Sequence, residues 1–174
     1  MNTMKRKVAL TVVLALGALS SASFHALAQS QDDIAKQFVG MWRLVSWTQR
    51  LADGTTRQNP QSVGYIIYTD TNRMCVVAMD PNRPKWKSET APTDAEAMSA
   101  IRGLLAYCAT VEIYSKEGFV LHHVEIEKVP NRVGLKRKRW FTFQGPNRVA
   151  LRVDTPELTA PVVESTLIWE RVEK

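Results

Sequence analysis

The residues best equipped for chemistry lie on two consecutive runs. In VLHHVEIE, residues 120–127, alternation sets Val120, His122, Val124 and Ile126 on one side and Leu121, His123, Glu125 and Glu127 on the other. The first side is the apolar one and is expected to face a core, with His122 among aliphatic side chains. Burial disfavours an imidazolium and leaves a neutral ring that donates at one nitrogen and accepts at the other. In the next run Leu135, Arg137, Arg139, Phe141 and Phe143 share a side, against Lys136, Lys138, Trp140, Thr142 and Gln144. An inward Arg139 near His122 makes a polar centre in an apolar space, suited to a carboxylate, enolate or carbonyl oxygen. Tyr107 shares a face with Leu105, Ala109, Val111 and Ile113 and supplies a hydroxyl, and Tyr65 and Ser46 are further expected ligand-lining residues.

Each of these has a plainer reading. A histidine on an apolar strand face is commonly a satisfied core residue, and Tyr107 fits a core equally well. A slip of one residue in the assigned phase turns every side chain over, which would send Arg139 out to pair with Glu125 or Glu127. His122 and His123 point to opposite faces and make no metal pair, and with no Cys-x-x-Cys or Cys–His cluster no metal site is expected. The sequence holds no Gly-x-Ser-x-Gly, no Gly-x-Gly-x-x-Gly and no glycine-rich phosphate loop with lysine. Hydrolase, dinucleotide-binding and nucleotide-triphosphatase readings therefore have no residues to rest on.

The elements that must position these groups are mostly strands. Residues 41–50 alternate, placing Trp42, Leu44 and Ser46 opposite Arg43, Val45 and Trp47. YIIYT at 65–69 and MCVVAM at 74–79 flank Asp70-Thr71-Asn72 and read as a hairpin. Residues 80–92 are proline-rich, and 93–101 read as a helix with a Thr93/Glu96 capping box. Strands resume at 104–114, 119–128, 134–144, 148–153 and 163–172, with turn residues between them. A short helical lead-in is expected over 31–38. Eight strands joined by short turns pair antiparallel and close into an up-and-down barrel, with one short helix between strands 3 and 4. A sandwich is the other all-β arrangement. An eight-stranded barrel has room for packed side chains or one small ligand, and the 80–101 excursion is expected to act as a lid.

Lys5, Arg6 and Lys7, the apolar run 8–19 and Ala26-Leu27-Ala28 read in order as a cleavable signal peptide over 1–28. The apolar run is too short for a membrane anchor, since a span takes roughly 20 residues. The expected product is a single domain, 29–174, in the periplasm or secreted, with no stable membrane anchor. Of 23 basic residues three leave with the peptide, so 20 remain against 17 acidic ones, and no nucleic-acid partner is expected. The same location disfavours cofactors such as NAD or ATP, and none is expected. Cys75 and Cys108 would meet an oxidising compartment, which permits one disulfide; two buried thiols are the other reading.

Gly40-x-Trp42 at the first strand and Arg171 in the last resemble the Gly-x-Trp and closing arginine of lipocalins, where the guanidinium lies across the indole at the barrel floor. With GMWRLVSWTQRLADGT, VGYIIYT, LLAY, LHHVEIE, PNRVG and LIWER in that order, the chain resembles the bacterial and fungal lipocalin-like domain family over nearly all of residues 29–174. The segment around Trp86, the run 136–139 and both cysteines depart from that pattern. The resemblance implies a lipocalin-like barrel, with Gly40, Trp42 and Arg171 in structural roles. Two functions follow as expectations. One is a binding protein for a small hydrophobic or amphipathic molecule, oriented by His122 and Arg139. The other is an isomerase- or cyclase-type enzyme, with His122 as acid/base and Arg139 or Tyr107 stabilising an enolate-like intermediate. Ligand identity, catalysis and oligomeric state are left open by the sequence.

Overall fold

The computed structural model describes residues 31–173, so the signal-peptide reading lies outside the described residues. Helix α1 (Gln31–Phe38) leads into nine strands: β1 (Gly40–Leu51), β2 (Thr56–Gln58), β3 (Val63–Tyr68), β4 (Arg73–Met79), β5 (Leu104–Tyr114), β6 (Phe119–Glu127), β7 (Lys136–Phe143), β8 (Arg148–Asp154) and β9 (Val162–Arg171). Helix α2 (Asp94–Arg102) lies between β4 and β5. The three-residue β2 is an outlying hairpin strand on β1; the other eight form the expected barrel, in which α2 follows the third. Each strand pairs antiparallel with its neighbour, and β1 pairs β9 to close the ring.

The residues that build this ring also divide it into two ends. At the narrow end β1 pairs β3 through Gly40↔Tyr68 to Arg43↔Tyr65, and β7 pairs β8 through Trp140↔Arg152 to Phe143↔Val149. Beyond those rungs β1 turns to β2, through Thr48↔Gln58 to Arg50↔Thr56, and β8 runs out into the loop before β9. The ladder thins at two seams, and the barrel widens there.

Two β-bulges change which side chains point inward along this axis. Between Leu44↔Trp169 and Ser46↔Ile168 the register of β1 against β9 shifts, leaving Val45 as an extra residue. Between Cys108↔Ile126 and Ala109↔Val124 the register of β5 against β6 shifts in the same way, leaving Glu125 as the extra residue. Because side chains alternate with period two, each insertion inverts everything beyond it. Strict alternation places Ile126 inside and Glu127 outside; the structure does the reverse, with Ile126 66% exposed and the Glu127 side chain fully buried.

The narrow end is sealed by the residues the lipocalin resemblance singles out. Phe38, at the end of α1, is buried among Tyr68, Phe141 and Phe143, with ring centroids 4.9–5.2 Å away. Trp42 is wholly buried and donates from Nε1 to the Phe38 carbonyl at 2.8 Å. The Arg171 guanidinium lies 4.1 Å from the Trp42 ring and donates to the carbonyls of Val39 and Gln37 at 2.8 and 2.6 Å. Gly40 has φ +131°, a conformation that favours glycine, and a Cβ there would come within 2.8 Å of Arg171 Nη1 and shift the guanidinium.

Cys75 and Cys108 form a disulfide across the directly opposed rung of β4 and β5. Both point away from the core, flanked by buried Met74, Val76, Tyr107 and Ala109. The bond pins β5 at the residue where its register against β6 shifts. The capping box of α2 is formed as the sequence predicts, with Glu96 N–H donating to Thr93 Oγ1 and Thr93 N–H donating to Glu96.

Candidate ligand-binding site

The wide half of the barrel holds a cavity of about 480 Å³. Its walls are Ile66 and Val76 from β3 and β4, Leu105 and Tyr107 from β5, Leu151 and Val153 from β8, and Leu167 and Trp169 from β9. Its roof is the loop from Glu157 to Pro161 between β8 and β9. The 80–101 segment contributes no lining residue, although its Ile101 carbonyl accepts from Lys128 at the cavity rim. Arg83 folds that segment onto itself, donating to the carbonyls of Asp80 and Ala100, and no residue of α2 is buried.

A polar layer separates this cavity from the packed end. His122 is completely buried and held at both nitrogens: Tyr68 Oη lies 3.1 Å from Nε2 and Tyr107 Oη 2.9 Å from Nδ1. Burial, reinforced by the positive charges of Arg139 and Arg137, keeps the imidazole neutral, well below its ordinary 6.5. Burial likewise raises the Tyr68 phenol well above 10. His122 does not line the cavity. It stands behind Tyr107, which does.

Above this triad, Arg139 and Arg137 face inward from β7, as alternation predicts. Arg139 Nη1 donates to Glu157 Oε2 at 2.7 Å and to its neighbour's carbonyl, that of Lys138, at 2.6 Å. Burial works against the charge of Arg139, but Tyr107 and Glu157 more than offset it. Arg137 lies 4.9 Å from the Tyr107 ring, 3.3 Å from Glu127 and 3.6 Å from Glu157; its burial lowers its proton affinity. Glu157 also accepts from the Lys138 backbone N–H at 2.6 Å. Its carboxylate thus takes the place of a ladder partner where β8 has left β7.

Of the sequence-predicted site residues, His122, Arg139 and Tyr107 are brought together, although only Arg139 and Tyr107 reach the cavity. Tyr65 and Ser46 are not part of the site. Tyr65 sits on the outer face of β3 opposite exposed Val77, and is 46% exposed. Ser46 is turned outward by the Val45 bulge and pairs Ile168, while Trp47 turns inward and donates from Nε1 to Ser165 Oγ at 2.6 Å. Leu135, expected inward, precedes β7 and is 49% exposed. His123 lies on the outer surface, 3.3 Å from Glu112. Tyr68, Glu127, Trp47 and Glu157 belong to the site but are not among the residues to which the sequence points. The first lay on the same alternation as Gly64 and Ile66; the next two are exchanged by the bulges; the last lies in a loop.

The model of the lipocalin-like domain matches residues 39–172. The chain belongs to that family. The match spans β1 to β9, so the whole barrel of this lipocalin-like protein falls within it. No curated protein matches the chain. Among solved structures, a redesigned beta barrel is similar at 15% identity and TM-score 0.42, covering 80% of this chain and 95% of its own. A de novo designed fluorescence-activating beta barrel is similar at 12% identity and TM-score 0.40, with 80% and 98% covered.

Proposed function

We propose that this protein is an exported binder of a small amphipathic molecule, whose apolar body fills the wide half of the barrel. The observation that carries the reading is the cavity of about 480 Å³ with aliphatic walls and a polar layer at one side. Pockets of a few hundred Å³ with apolar linings and a few convergent polar groups are the usual form of small-molecule sites. Export is supported by the leader-like residues 1–28 and fits a disulfide-bonded domain. An acid–base role for His122 would have to run through the Tyr107 hydroxyl, because the imidazole is shielded from the cavity; binding is the function the geometry supports best.

The test is titration of the purified protein with the fluorescent apolar dye 1-anilinonaphthalene-8-sulfonate. One saturable site is expected, lost when Leu105→Trp fills the cavity while circular dichroism shows the barrel intact. The reading is wrong if wild type shows no saturable site, or if Leu105→Trp binds the dye unchanged.

A further inference from the structure

The Tyr68–His122–Tyr107 chain has one more hydrogen than it can use internally. A neutral imidazole brings one N–H and one lone pair, and each tyrosine brings one O–H. Two contacts consume two of these three hydrogens, so one hydroxyl hydrogen must look elsewhere. Which one depends on the tautomer.

If Nε2 carries the proton it donates to Tyr68, Tyr107 donates to Nδ1, and the Tyr68 O–H is the one left over. Tyr68 is 4% exposed and packs on Phe38, and His122 is the sole hydrogen-bond partner of its hydroxyl among the described residues. An orphaned buried donor costs about 1–3 kcal/mol. If Nδ1 carries the proton, Tyr68 donates to Nε2, Nδ1 donates to Tyr107, and the spare hydrogen belongs to Tyr107, which lines the cavity. There it can meet a ligand or water. The second arrangement satisfies both sealed members of the triad, Tyr68 and His122.

The other free groups of the cavity agree with a spare donor at Tyr107. Trp169 is 1% exposed and lines the cavity, and its indole N–H has no partner among the described residues. Among the described residues five cationic ones line the cavity, Arg57, Lys128, Arg132, Arg137 and Arg139, against one acidic one, Glu157; Glu127, behind Arg137, adds one more negative charge. The cavity therefore offers hydrogens and positive charge to whatever enters it.

We propose that the triad locks His122 as its Nδ1–H tautomer, so that the Tyr107 hydroxyl donates to the carboxylate of an amphipathic ligand. This rests on the binding function proposed above and names its ligand class. Tyr68 acts as a positioning residue: it reaches the ligand only through the imidazole.

Two measurements on protein stripped of bound lipid test it. Long-range proton–nitrogen NMR of the His122 ring reads the tautomer directly, with no ligand present. Calorimetric titration with dodecanoate, dodecanol and methyl dodecanoate reads the head-group preference. The expected results are an Nδ1–H ring and dodecanoate bound about ten-fold or more tightly than the other two, as a charge-assisted hydrogen bond is worth roughly 1.5–3 kcal/mol. Tyr107→Phe should remove most of that preference, and Tyr68→Phe should reduce it without altering any cavity-lining side chain. An Nε2–H ring in wild type overturns the proposal. So does equal affinity for the three probes, although the protein would remain a binder. Absence of binding by all three, together with no saturable dye site, removes the binding function as well as the carboxylate assignment. Both wild-type readings stand even where a variant fails to fold.

Discussion

The narrow and wide halves of the barrel share strands but not construction. In the narrow half Phe38, Trp42, Val120 and Val149 are almost wholly excluded from solvent, held between the helix α1, the Trp42–Arg171 stack and the continuous ladder. In the wide half the same strands carry Trp47, Glu127, Arg137 and Ser165 inward around a cavity. The change of character falls at two inserted residues, Val45 and Glu125. The halves differ because a bulge in a strand exchanges its faces, which lets one strand offer aliphatic side chains to a core and polar ones to a ligand. Between them lies the layer built from Tyr68, His122, Tyr107 and Arg139, satisfied mostly from within.

The largest difference between the halves should appear on truncation. Trp42→Ala removes a fully buried indole, its hydrogen bond to Phe38 and the surface on which Arg171 rests; a loss of about 3–5 kcal/mol is expected from such changes. Leu158→Ala, on the roof loop, opens onto a cavity that already exists, so it should cost less than about 1 kcal/mol. Urea unfolding of both variants checks the contrast, and comparable losses would mean that the wide half is packed too.

The boundary between the halves is tested next by Glu127→Ala. This change leaves the Arg137 guanidinium, whose side chain is 15% exposed, with the more distant Glu157 alone. Removing one partner of a buried pair typically costs about 3–5 kcal/mol; a value near the bottom of that range is expected, because Glu157 remains. Glu125→Ala, at the exposed bulge position, should cost far less, since its pairing with Arg73 is at the surface. If Glu127→Ala were as mild as Glu125→Ala, the inward turn of Glu127 would be wrong.

A smaller effect should follow pH. In the unfolded chain His122 gains a proton near 6.5, whereas burial and the neighbouring arginines hold it neutral to well below that in the fold. The unfolded state therefore binds more protons as pH falls below about 6.5, and acid weakens the fold. The stability cost of His122→Gln is expected to be greatest above that pH and to shrink on acidification, as read from paired thermal melts of wild type and variant. A cost independent of pH would place the imidazole in contact with solvent.

How much of this was legible in the sequence depends on whether a feature leaves a mark on residue types. The closed end did: Gly40, Trp42 and Arg171 are unusual residues at fixed places, and the contact among them is as expected. Strict alternation also placed His122, Arg137, Arg139 and Tyr107 inward correctly. The bulges left no such mark, because an inserted Val45 or Glu125 looks like any other strand residue. Everything beyond them therefore lies on the face opposite to the one strict alternation predicts. The phase of β3 was ambiguous for another reason: Val63, Tyr65 and Ile67 are as apolar as Gly64, Ile66 and Tyr68, so Tyr65 was expected inside in place of Tyr68. Glu157 was hidden because a loop has no periodicity from which to read a direction.

The smallest predicted effect is the one that separates alternation from the structure most cleanly. Ser46→Ala and Tyr65→Phe remove the hydroxyls that a strict period-two reading puts in the cavity. In the structure Ser46 faces outward opposite Ile168, and Tyr65 stands on the outer face beside Arg43 and Val77. Both substitutions should leave dye affinity within about two-fold and stability within about 0.5 kcal/mol, as is usual for changes away from buried features. Trp47→Phe, one residue along β1 from Ser46, removes a donor to buried Ser165 inside the cavity wall and should weaken dye binding measurably. A loss of affinity in Ser46→Ala with none in Trp47→Phe would erase the Val45 bulge, and with it the explanation of why the two halves differ.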